Sequence, residues 1–124
     1  MPFTYEQTTG RFSRDGALVG IGYSGHGDGL NNPQMEGIHS VGPIPHGAWT
    51  IGQAHQDGPL GPLVMNLDPV VLATALGRTD FRIHGDNDLL NHSASDGCIV
   101  MNHLYRSQIA AAVDSGDDRL VVTP

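Results

Sequence analysis

Outside residues 98–115, no stretch of this sequence runs far without a glycine or a proline, and that spacing limits what the chain can fold into. Seventeen Gly and eight Pro are spread over 124 residues. The apolar residues between them come in brief runs rather than in long stripes at helical spacing. Such a chain is expected to build a mostly β domain of short strands with one or two short helices. F-T-Y-E-Q-T-T-G-R-F-S-R-D-G-A-L-V-G-I-G reads as an opening meander with turns at Thr9-Gly10 and Asp15-Gly16, the second a strong hairpin dipeptide. Further strands are expected over Ala48 to Gly52, Leu63 to Leu67, Phe81 to His84, Cys98 to Met101 and Leu120 to Thr123. From Tyr23 to Gly47 the glycines and prolines describe a long loop, and long ordered loops usually serve function. Asp68 as N-cap, Pro69 in the first turn and Gly77 as a stop predict one helix. Asn102 as N-cap and Gly116 as a stop predict another, over His103 to Ser115.

Size and charge narrow the classes. A chain of 124 residues is expected to form one domain over 1–124, large enough to bury a core without metal or disulfide staples. Six Lys plus Arg against thirteen Asp plus Glu leave a formal charge of -7. Nucleic acid is therefore not expected as a partner, because phosphate-backbone binding rests on clustered Lys and Arg. The first residues, M-P-F-T-Y-E-Q-T-T-G, lack the basic start and apolar run of a signal peptide, and no apolar stretch approaches membrane-spanning length. No membrane insertion is expected, and no cofactor or metal is called for.

The chemistry gathers around the lone cysteine, in S-A-S-D-G-C-I-V-M at residues 93–101. Cys98 can be a small buried hydrophobe of a strand or a nucleophile. A catalytic thiol needs a base or cation that favours the thiolate, and donors for the oxyanion formed on attack. In F-R-I-H-G-D-N, His84 ends an apolar strand and Gly85 follows it; Cys98 comes fourteen positions later, after Gly97. Gly97 lets a carbonyl substrate approach the backbone closely, and the N–H groups of Gly97 and Cys98 are candidate oxyanion donors. His84 meets Cys98 only if their strands are neighbours.

At these residues the chain resembles the L,D-transpeptidase (YkuD-like) family, in which a His-Gly strand end precedes a Ser/Thr-His-Gly-Cys signature: R-I-H-G and S-D-G-C-I-V-M carry the likeness. G-P-I-P-H-G-A-W-T-I, residues 42–51, is similar to the family's T-P-x-G-x-F-x-I strand entry. G-Y-S-G at 22–25 and N-N-P at 31–33 resemble a smaller branch, the L,D-transpeptidase-like toxins of type VI secretion. Three departures stand out. Asp96 replaces the second His, the gap from His84 to Ser95 is shorter than usual, and Val100 stands where Asn or Arg often follows Cys-Ile. An acidic Asp96 beside the nucleophile tends to raise a thiol pKa unless it points away or holds an imidazolium.

The resemblance implies a single β-sandwich domain and a cysteine enzyme acting on the tetrapeptide stems of peptidoglycan. Cys98 would be the nucleophile, His84 its base, a carbonyl near Gly85 the group that fixes the imidazole tautomer, and Ser95, Asp96 or His92 would support them. Tyr23 and Arg106 are candidate substrate-binding residues. Water would make the enzyme an L,D-carboxypeptidase, and a free D-amino acid would make it an exchange enzyme. As a type VI effector it would be made in the cytoplasm, act in the periplasm of target bacteria, and have a cognate immunity protein. Competing readings are a papain-like or NlpC-type cell-wall peptidase, a non-catalytic β-sandwich binding module, and a metallohydrolase assembled from His26, Asp28, His84, Asp86 and His92. In the first of these the Cys precedes its His and opens a helix. The last has no H-E-x-x-H spacing behind it.

Overall fold

The computed structural model describes residues 2–86, 95 and 97–124. The expectations placed on His92 and Asp96 lie outside the described residues. The chain opens with β1 (Phe3–Glu6), β2 (Arg11–Arg14) and β3 (Ala17–Ile21), paired antiparallel in succession. The hairpin between β2 and β3 turns at Asp15 and Gly16 with φ of 51° and 79°. Two left-handed residues in a row match the twist of the flanking strands, which is why Asp-Gly favours this turn. After them come β4 (Tyr23–Ser24), β5 (Gly47–Ile51), β6 (His55–Asp57), β7 (Gly61–Pro69), β8 (Arg82–His84) and β9 (Ile99–Val100). The helix α1 (His103–Asp114) and β10 (Arg119–Thr123) complete the chain.

These strands form one path in the order β3-β2-β1-β10-β5-β7-β8-β9-β4, with β6 attached to β7. The expected mostly β fold is what forms, as a nearly closed sheet with one α-helix among the described residues. Among the described residues two pairings are parallel and both have consequences: β1 with β10, and β8 with β9. The first stitches the two ends of the chain together and sets Phe3 beside Leu120 and Tyr5 beside Val122. In the parallel ladder these pairs face the same side, and all four are buried. Trp49 on β5 lies opposite Leu120 and is fully buried. Each such side chain contributes about 1.5–3 kcal/mol of apolar burial, so this face is the main core. From α1, Ile109, Ala110 and Val113 close over it.

The predicted helix His103 to Ser115 ends one residue earlier than expected, and its N-cap is as read: Asn102 Oδ1 accepts from Tyr105 N at 3.0 Å. The predicted helix after Asp68 does not form. Asp68 and Pro69 continue β7, paired with Thr50 and Trp49, and only a four-residue 3-10 turn, Leu72–Ala75, follows. A strand ladder that buries Trp49 outweighs a cap and a first-turn proline, whose helical preference is a weak local bias. The long Tyr23 to Gly47 loop is also more structured than expected, with β4 and 3-10 turns at Gly27–Gly29 and Pro33–Met35.

Candidate active site

The parallel pairing of β8 with β9 brings the two distant motifs together. Ile83 is in register with Ile99, and His84 with Val100. Continuing that register sets Arg82 beside Cys98, so Arg82, His84 and Cys98 fall on one face of the sheet. His84 and Cys98 line a single cavity of about 280 Å³, together with His39, Arg78, Asp80 and Arg82. Cys98 is half-buried, and its thiol donates to the Asp80 carbonyl at 3.4 Å.

His84 is only 3 % exposed. A carbonyl cannot donate, so the 2.7 Å contact of His84 Nδ1 with Gly85 O puts the proton on Nδ1 and leaves Nε2 as the basic nitrogen. Burial holds the imidazole below its usual pKa, against the opposing pull of the Gly85 carbonyl; Arg106 and Arg82 add to the lowering and Asp86 offsets it. A neutral imidazole that accepts through Nε2 is the form a general base needs at neutral pH. Gly85 leaves room for the Arg106 guanidinium, because a Cβ there would sit 2.8 Å from Arg106 Nη2 and one of the two would have to shift.

Two buried serines shape the turn that carries Cys98. Ser95 Oγ donates to Cys98 O at 2.6 Å and accepts from Gly97 N at 3.1 Å and Gly25 N at 2.9 Å. Ser24 Oγ donates to Gly97 O at 3.0 Å and accepts from Ile44 N at 2.8 Å. His26 adds a third tie by donating from Nδ1 to Ser95 O at 2.8 Å. The Gly97 N–H, read from sequence as an oxyanion donor, is thus bonded to Ser95. What Gly97 supplies is room and conformation: its φ is 130°, and a Cβ there would run into Arg78 Nη2 and come within 3.1 Å of the Phe81 ring.

Tyr23 and Arg106 stand elsewhere. Tyr23 lines a separate cavity of about 360 Å³ and donates its hydroxyl to Asp86 Oδ1 at 2.7 Å. Arg106 is 7 % exposed and grips three backbone carbonyls: Met101 O at 3.0 Å, Pro62 O at 2.8 Å and Leu63 O at 3.1 Å. It packs against Gly85, next to His84, and is not among the residues that line the Cys98 cavity.

Sequence reasoning missed Arg78. It is 5 % exposed, lies 5.1 Å from the Phe81 ring centroid, and donates to Pro43 O at 2.8 Å, Gly42 O at 2.9 Å and Glu36 O. Its only sequence signal was an arginine shortly before the His84 strand. Among the described residues no group of three or more His, Cys, Asp or Glu side chains is set to hold a metal ion. Cys98 leads into β9 rather than into a helix, unlike the papain-like arrangement. Among the described residues no helix is long and apolar enough to cross a membrane.

No curated protein matches the chain. The Tlde1 domain matches residues 20–123, a span that takes in Ser24, Arg78, His84, Ser95 and Cys98. This chain therefore belongs to the Tlde1 domain family, a family of type VI secretion toxin effectors.

Proposed function

We propose that this protein is a cysteine enzyme of the L,D-transpeptidase kind that acts on the tetrapeptide stems of peptidoglycan. The observation that carries the reading is the meeting of Cys98 and His84 in one cavity, with the imidazole held so that Nε2 is its basic nitrogen. In the first half-reaction His84 Nε2 takes the thiol proton and the Cys98 sulfur attacks the carbonyl at the L-centre of diaminopimelate. The tetrahedral intermediate collapses to a thioester. The bond to terminal D-alanine breaks, and the imidazolium returns its proton to the departing amine. In the second half-reaction water, activated by the same nitrogen, releases the shortened stem and regenerates the thiol. A free D-amino acid in place of water gives exchange.

Membership of a type VI effector family supports the biological setting of this reading. The enzyme would be carried into the periplasm of a competitor and trim the donor stems its wall needs, while an immunity protein protects the producer. Mass spectrometry of sacculi incubated with the wild type, Cys98→Ala and His84→Ala proteins tests the reaction. The wild type is expected to convert tetrapeptides to tripeptides or exchanged tetrapeptides, and each variant to lose at least about 10⁴-fold in rate. An unchanged profile with the wild type, or the same product from Cys98→Ala, overturns it.

A further inference from the structure

The neutral state favoured for His84 leaves a question about Cys98. A neutral imidazole accepts a proton but offers no positive charge to a thiolate, and the thiol's bond to Asp80 O at 3.4 Å favours the protonated sulfur. An ionisable nucleophile in such a place needs a cation that does not come and go with pH. The charged and titratable groups that line the cavity with Cys98 are Arg82 and His84 from β8, Arg78 and Asp80 from the segment before it, and His39 from the loop across the cavity. Asp96, next but one in the chain, lies outside the described residues. Arg82 faces Asp57 at 3.4 Å and Asp80 at 3.8 Å. Arg78 is the cation that lies against the nucleophile's own turn, since its Nη2 occupies the space a Cβ on Gly97 would need.

Arg78 is also fixed in place. Its described hydrogen bonds run to the carbonyls of Glu36, Gly42 and Pro43, and its guanidinium lies over the Phe81 ring. A long arginine side chain held this way has lost the freedom to swing out, so its charge is preorganised at the site. Gly97 is what allows the close approach: any side chain there would push the guanidinium off the turn that carries Cys98.

We propose that Arg78 is a positioning residue for the Cys98 nucleophile: a buried, fixed cation that holds the thiol toward thiolate and orients its turn through Gly97. The inference rests on the reading of Cys98 as nucleophile, but its test needs no peptidoglycan. Because Cys98 is the chain's sole cysteine, the pH dependence of alkylation by iodoacetamide reports this thiol alone.

The wild-type midpoint is expected at least one pH unit below the ordinary thiol value of about 8.5. Arg78→Gln, folded by circular dichroism, is expected to raise it by about one unit or more, which lowers the thiolate fraction at pH 7 about tenfold. Arg78→Lys keeps the charge and is expected to recover at least part of that shift. Arg82→Gln is expected to move the midpoint less than Arg78→Gln does. A wild-type midpoint at or above 8.5 overturns the proposal without any variant, as does a folded Arg78→Gln protein that titrates like the wild type. If Arg78→Gln fails to fold, a midpoint in Arg78→Lys at the ordinary thiol value overturns it. A sacculus digest that fails while the midpoint behaves as expected sinks the proposed reaction and spares this inference.

Discussion

The two halves of the sheet are held together by different forces. From β3 to β5 the strands are four or five residues long, and their inner face is aromatic: Phe3 and Phe12 pack with tilted rings, centroids 5.3 Å apart, and Tyr5 lies 6.1 Å from Phe12. Around the site, β8 has three residues and β9 and β4 two each. So short a ladder supplies few hydrogen bonds and little area. There, buried polar side chains bond the backbone over long distances: Arg78 and Arg106 to carbonyls, and Ser24 and Ser95 to the Cys98 turn. A cavity lined by a sulfur and an imidazole on the same face cannot also fill that face with apolar side chains, so specific bonds take over from area. Trp49 and Phe81, 4.9 Å apart edge to face, join the two halves.

Four measurements would break or sharpen this contrast. The largest loss of stability is expected from Phe12→Ala in the aromatic half, about 3–5 kcal/mol in urea denaturation, because it empties a fully buried ring site. A folded Phe12→Ala protein should still alkylate Cys98 at the wild-type midpoint. Arg106→Met is expected to cost about 3 kcal/mol, since three carbonyls, the buried one of Met101 among them, lose a charged donor. Unlike Phe12→Ala it should also disturb His84, whose neighbour Gly85 packs on that guanidinium. Equal behaviour of the two variants at the site would erase the contrast drawn here.

Ser24→Ala is expected to cost less, about 1–2 kcal/mol, yet to reduce turnover more than its stability loss predicts. It leaves Gly97 O and Ile44 N unbonded by that hydroxyl and loosens the turn that carries Cys98. A fall in kcat with KM held constant is the expected signature; a change in KM alone would argue that the turn stays in place. The smallest effect belongs to Tyr5→Phe. The Tyr5 hydroxyl is buried and has no hydrogen-bond partner among the described residues, and burial pushes its pKa far up. Removing it is expected to be neutral or to stabilise by about 1 kcal/mol, and clear destabilisation would reveal a partner for it.

The pH dependence distinguishes the halves too. Because burial lowers the His84 pKa, the unfolded chain takes up a proton at this group before the folded one does. Its contribution to stability is therefore unchanged above the ordinary imidazole value of about 6.5 and falls as pH drops below it. The acid limb of activity is expected below that same value. A limb above it would mean that the imidazole is charged in the resting site.

Much of the fold was legible because it is local. The Asp15-Gly16 hairpin, the Asn102 cap and the alternation around Leu120 each state their structure within a few residues. The helix expected after Asp68 was misread for the opposite reason: its outcome depended on Trp49, far along the chain, which pairs with Pro69. Ser24 and Arg78 were illegible as site residues because their partners lie 73 and 35 to 42 positions away, at no period a sequence displays.

The sequence by itself determined that strands would be short, and that a lone thiol, the glycine before it and a histidine closing a strand were the reactive candidates. Glycine spacing and strand alternation act over a few bonds, and such constraints are written where they operate. Only the tertiary structure decided that β8 and β9 run parallel, that Gly97 faces a buried arginine, and that Arg106 braces the site instead of lining it. Those outcomes depend on which backbone carbonyls remain unpaired once the sheet curls, a quantity that exists only after distant strands have met.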